Sequence, residues 1–199
     1  MTHRRQGGDD GVTLVELIVV VVICGLFLGL LGSLFANGLI AQQQATARDR
    51  ATGHANTLAA SLGTSIRNAT SDITVSADGQ AIVAKVVTGD STWECRGWFV
   101  APDGSVHYAA VGEDDAPISM AEAANWPRII AGIERDDGSV EGVTGGLADA
   151  DGDGRDDAFA LNERTLSIGL RVRVGDIEVA VTNGVTAQGA LHSEGDSCS

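Results

Sequence analysis

Three aspartates at alternate positions, Asp149, Asp151 and Asp153, stand in the run Asp149-Ala-Asp-Gly-Asp-Gly-Arg-Asp-Asp157 and are the side chains best placed to do chemistry. That chemistry is cation binding. Ca2+ takes about six to eight oxygen ligands, alternate residues can turn their carboxylates inward, and glycines between them permit the sharp turn. The run ends an acidic, glycine-rich stretch, residues 134–157, which is too long for a hairpin turn and is therefore either functional or disordered. The plainer reading of the same residues is a solvated acidic turn. A further carboxylate, Glu16, is the only charge between Val12 and Ala36. A lone carboxylate in an apolar helix is costly and marks a functional site.

Other chemistries find little support. Of the histidines His3, His54, His107 and His192, none belongs to a zinc-spaced pair or a nucleophile motif, and no phosphate loop or dinucleotide glycine pattern follows a strand. Trp93, Trp98 and Trp126 form either a binding patch or part of a core. The sequence reads as that of a non-enzyme. With 27 acidic residues against 13 basic ones, a net charge of -14 and Lys85 as its single lysine, it is also not expected to bind nucleic acid directly.

The aspartate run resembles the calcium loops of EF-hands, dockerins and thrombospondin type 3 repeats. That resemblance implies Asp149, Asp151 and Asp153 as side-chain ligands, Arg155 through its carbonyl, and Asp157 directly or through water. Where an EF-hand closes its loop with a bidentate glutamate, this chain has Ala160. A closing carboxylate must then come from elsewhere, with Glu163 a candidate.

Glu16 belongs to an N-terminal segment with its own logic. A short polar leader, residues 1–11, carries Arg4 and Arg5 and ends at Gly11; residues 12–36 then form a transmembrane or filament-core segment. The uncharged stretch Leu17 to Ala36 extends about 30 Å as a helix, the thickness of a bilayer's hydrocarbon core. The basic leader places the N-terminus in the cytoplasm and the remainder outside. An ordinary secretory signal is disfavoured by the length of the run, the acidic residue near its start and the lack of an Ala-x-Ala site. A plain signal anchor explains neither Gly11 nor Glu16.

Gly11-Val12-Thr13-Leu14-Val15-Glu16-Leu17 resembles the prepilin cleavage motif of type IV pilins and type II secretion pseudopilins. The resemblance implies cleavage between Gly11 and Val12 by a prepilin peptidase, N-methylation of Val12, and membrane insertion before assembly with other pilins or pseudopilins. It also implies that Glu16 neutralises the new ammonium at Val12 of a neighbouring subunit. Valine stands where the family usually has phenylalanine. The length and the late Cys198 look more like a minor pilin or J-type pseudopilin than a small major subunit. The alternative is a signal-anchored extracellular protein that binds calcium or another ligand.

Residues 37–69 continue the helix amphipathically, with Ala51, Ala55, Leu58, Leu62 and Ile66 at spacings of three and four. Asn37-Gly38 is a candidate bend. From 70 to 199 the pattern turns to strands: 73–77 with 81–87 around Asp78-Gly79, 92–101 with 105–111 around Pro102-Asp103-Gly104, and a hairpin of Leu166 to Val174 with Ile177 to Val181 around Gly175-Asp176. The expected fold is α+β, a pilin-like long helix laid on one face of an antiparallel sheet. Cys95 and Cys198 either pair or remain two thiols, and Cys24 is a small apolar helix residue.

Overall fold

The computed structural model describes residues 13–88, 92–112, 115–188 and 198, with backbone alone at 71 and 72. The fold is α+β. Helix α1 runs from Leu14 to Arg67, and the chain divides into two compact units between Ala45 and Thr46.

In the first unit every described residue is exposed, including Leu17, Val21, Phe27 and Phe35, and the segment is long and apolar enough to cross a membrane. The backbone stays helical through Asn37 and Gly38.

In the second unit the same helix becomes a core element. Ala51, Ala55, Leu58, Leu62 and Ile66 form the expected seam and are buried. They share one core cluster with residues of both sheets, and each fully buried Leu or Ile stabilises by about 1.5–3 kcal/mol. The helix ends where strands take over its free carbonyls. The amide of Val87 donates to the carbonyl of Asn68, and that of Gln188 to the carbonyl of Arg67.

The single sheet expected from the sequence is two antiparallel sheets. The first, in order β1-β2-β3-β4-β5, comprises Ala69–Val75, Ala81–Val87, Trp93–Val100, Val106–Gly112 and Arg128–Ile130. The second contains β6 (Ile133–Glu134), β7 (Val140–Gly145), β8 (Phe159–Asn162), β9 (Thr165–Val174) and β10 (Ile177–Thr186). Its order is β10-β9-β7-β6, with β8 also paired to β9. The β9–β10 hairpin turns at Gly175-Asp176 as expected and keeps its register from Val174 opposite Ile177 to Thr165 opposite Thr186. Leu166, Ile168, Leu170 and Val172 all point into the core from β9.

The first sheet is covered on both faces, which explains why β2 reads Ala-Ile-Val-Ala-Lys-Val-Val rather than alternating. Ile82, Ala84, Val86, Trp98 and Val100 join the helix seam and β9 in the main core. On the opposite face Val83, Ile118 and Cys198 form a smaller cluster with Cys95, Ala109, Val111, Met120 and Trp126 against it. A disulfide joins Cys95 to Cys198, with 5.6 Å between their Cα atoms. The carbonyl of Cys198 accepts the amide of Ile118 at 3.0 Å, so Cys198 acts as a strap fixed by backbone as well as sulfur.

Candidate functional site

The aspartate run owes its position to β9. Strands β7 and β8 lie along the same edge of β9, with Gly145 opposite Leu170 and Phe159 opposite Ile168. Between them the chain leaves the sheet and returns two positions along, so residues 146–158 are an excursion inserted into one strand edge. The stretch 134–157 is therefore not one loop: it holds a tight turn before β7, the strand itself, and then this excursion.

Hydrogen bonds close the neck of the excursion. The amides of Gly146 and Leu147 both donate to the carbonyl of Asp157, at 3.0 and 2.8 Å, while Gly146 also donates to Gly169 and Gly169 to Ala158. A Cβ on Gly145 would run into the carbonyl of Asp156, so only glycine lets the two legs approach this closely. Outside the neck, Asp156 pairs with Arg171 at 2.5 Å.

Within the excursion each aspartate is held by backbone N–H groups. Asp149 accepts from Gly152 at 2.6 Å and Gly154 at 2.9 Å, Asp151 from Asp153 at 3.0 Å, and Asp153 from Arg155 at 2.7 Å. Gly152 and Gly154 adopt φ of 82° and 87°, which turns the backbone inward. As a result, one carboxylate oxygen from each of Asp149, Asp151 and Asp153 lies within 4.8 Å of the others. Oxygens on opposite sides of a Ca2+ ion are about 4.6–5.2 Å apart, so the three fit a single coordination sphere. The residues form a group that can hold a metal ion.

The close approach of like charges shows in their protonation. The N–H groups of Gly152 and Gly154 hold the Asp149 carboxyl below its ordinary value. For Asp151 the N–H of Asp153 acts in the same direction, but lost hydration, a hydrogen bond shared with Asp149 and the charges of Asp153 and Asp149 outweigh it and push the carboxyl up. A cation relieves that crowding.

The remaining residues of the calcium reading divide. Asp157 sits at the neck, 5% exposed, and its Oδ2 accepts the amide of Ala150 at 3.3 Å. Ala160 lies in β8 opposite Ser167, and Glu163 occupies the β8–β9 turn with φ 54°. Glu163 lies four positions beyond Phe159, about 13 Å along the strand at a rise of ~3.3 Å per residue, and it is not in the group formed by Asp149, Asp151 and Asp153. The structure does not make Glu163 the closing ligand.

At the other end of the chain, Gly11 and Val12 lie outside the described residues. Glu16 is exposed in the first turn of α1, and its backbone amide donates to Thr13 Oγ1 at 3.3 Å. Thr13-Leu-Val-Glu16 therefore matches the spacing of a helix capping box, a local role that the sequence reading overlooked. Cys24 is exposed in the apolar segment.

The other candidates have structural surroundings. Trp98 is core, Trp126 packs on Gly97, and Trp93 lies under the Lys85 ammonium at 5.0 Å. His54 is exposed on α1. His107 bridges Ser105 Oγ at 2.9 Å and the carbonyl of Trp126 at 2.7 Å, while Ser105 Oγ donates to Asp103 at 2.6 Å. That order places serine between aspartate and histidine, whereas activating a serine requires histidine in the middle. His3 and His192 lie outside the described residues. No family model, curated protein or solved structure matches the chain.

Proposed function

We propose that this protein is a pilin-like subunit, of the minor kind, of a type IV pilus or type II secretion pseudopilus. Its precursor is anchored in the cytoplasmic membrane, cut after Gly11 by a prepilin peptidase and methylated at Val12. The observation that carries this reading is the division of labour along α1. One helix bears a fully exposed apolar half whose only charge is Glu16 in its first turn, then supplies the buried seam of a β domain. A membrane anchor needs only the first property. A subunit that moves from lipid into a helical bundle while displaying a folded domain needs both, together with a carboxylate placed to meet the new N-terminal ammonium.

N-terminal mass spectrometry of protein recovered from cells tests the class. The expected chain begins with N-methyl-valine at residue 12. A chain still carrying Met1 to Gly11 would overturn the pilin reading in favour of a signal-anchored surface protein.

We read the aspartate excursion as a calcium site with Asp149, Asp151 and Asp153 as side-chain ligands, Arg155 as a carbonyl ligand and Asp157 at the neck. The clustering of three carboxylates and the preference of Ca2+ for many oxygens in a flexible shell support it. A cation that binds only the folded form stabilises by mass action, about 2.7 kcal/mol at a hundredfold excess over Kd. The full chain in detergent is therefore expected to melt several degrees higher in millimolar Ca2+ than in chelator. Superimposable melts would remove calcium from the account.

A further inference from the structure

The turn Pro102-Asp103-Gly104 between β3 and β4 lies where several elements meet. The carbonyl of Gly104 accepts the amide of Val143 in β7 at 2.8 Å, and a Cβ on Gly132 would strike the carbonyl of Asp103. Strand β5, beside this turn, is held lightly. It pairs with β4 through Val106 opposite Ile130 and His107 opposite Arg128, with an irregular register between them, and the Tyr108 amide donates to the carbonyl of Pro127 at 2.9 Å.

His107 reaches across this junction. Its Nδ1 lies 2.7 Å from the carbonyl of Trp126 and its Nε2 lies 2.9 Å from the hydroxyl of Ser105, a residue that is 1% exposed. A carbonyl only accepts, so Nδ1 carries a hydrogen. The Ser105 hydroxyl has a single hydrogen, and the Asp103 carboxylate at 2.6 Å takes it. That carboxylate is ionised. The hydroxyl and amide of Ser105 hold it below its ordinary value, outweighing lost hydration, and the charges of His107 and Arg128 act the same way. Nε2 must then donate to Ser105, so all three contacts are satisfied together only when both ring nitrogens bear hydrogen. With a neutral ring one hydroxyl hydrogen has to serve two acceptors, and the contact left without it sets lone pairs against each other.

The groups around the ring agree with this arrangement. Asp103 in the turn and Arg128 in β5 bring opposite charges to it, and β3 sets the Phe99 ring at 5.9 Å. The 3-10 helix Met120–Asn125, which ends at Trp126, contributes only the exposed Glu122. On β7, which packs against the turn, Glu141 is paired with Arg135.

We propose that Asp103, Ser105 and His107 form a proton-operated latch at the edge of the first sheet. The doubly protonated ring ties the β3–β4 turn to the carbonyl of Trp126, and loss of its proton releases residues 126–130 from that turn. The closed arrangement needs the proton, so acid favours it and rising pH opposes it. Release loosens the hold of Trp126 on Gly97 and thereby the outer cover of the first sheet. The latch is independent of both the filament and the calcium readings.

Amide hydrogen exchange on the full chain in non-ionic detergent, corrected for the intrinsic rate at each pH, tests the latch between about pH 5.5 and about pH 8, where imidazole gives up its proton. Protection at Tyr108 and Val143 is expected to fall about tenfold on going to the higher pH, while Ile168 and Leu170 in the main core keep theirs. His107→Gln keeps a donor but does not titrate, and should remove the pH response. Ser105→Ala removes the contested hydroxyl and should do the same, which decides the matter if the His107 variant does not fold. His54→Gln should respond as the wild type does. Protection independent of pH in the wild type, a response that survives both latch variants, or one that disappears with His54 would each overturn the latch.

Discussion

Glu16→Ala is expected to be cut and methylated normally yet to enter filaments at no more than a few per cent of the wild-type level. Two effects of the substitution must be separated. Thr13 caps the backbone amide of Glu16 whatever the side chain there, and a glutamate at that position also supports the helix start, a contribution of about 0.3–1 kcal/mol that alanine loses. Pairing with a neighbour's ammonium is a different matter, because in an apolar bundle a single uncompensated charge costs about 3–5 kcal/mol when its partner is removed. Glu16→Gln distinguishes them: glutamine serves a capping box as well as glutamate does, but carries no charge. The expected result is that Gln fails as Ala does, measured as the ratio of sheared filament protein to membrane-bound protein. Assembly restored by glutamine would reduce Glu16 to a capping residue.

The parts of the fold that could be read in the sequence are those whose signal is local. The β9–β10 hairpin announces itself through strict alternation on both sides of Gly175-Asp176, and the α1 seam through Ala51, Ala55, Leu58, Leu62 and Ile66 at helical spacing. Strands β7 and β8 could not be read. Val140-Glu-Gly-Val-Thr-Gly145 has little strand preference of its own and pairs because the edge of β9 is there to receive it. The two-sided burial of β2 was equally hidden, since its outer cover comes from Ile118 and Cys198, far along the chain. The site divides in the same way. Asp149, Asp151 and Asp153 are conspicuous by their spacing, whereas the hydrogen bond that Gln80 donates to the neck of their excursion is not, since Gln80 follows Asp78-Gly79 and reads as an ordinary residue after a turn. Only the packing of one sheet's turn on the other sheet's neck brings it to Asp156, and no local signal marks it.

Removing the disulfide as the pair Cys95→Ala and Cys198→Ala is expected to cost about 4–5 kcal/mol, because the bridge closes a loop of 103 residues and so restricts most of the unfolded β domain. Against the ~5–15 kcal/mol of a typical domain, that is a large share of its stability. The loss should begin locally. Cys198 holds the outer cover of the first sheet through its sulfur and through the Ile118 amide, with Trp126 packed beside them on Gly97. Trp126 fluorescence should therefore change at lower urea than the signal of the main core, where Phe159, Leu166 and Ile168 do not touch the strap's cluster. Reductant on the wild type should reproduce the behaviour, since Cys24, the other cysteine, is unpaired. A midpoint within experimental error of the wild type would show that the strap contributes little. A fully concerted loss of both signals would instead show that the outer cover and the main core unfold as one cooperative unit.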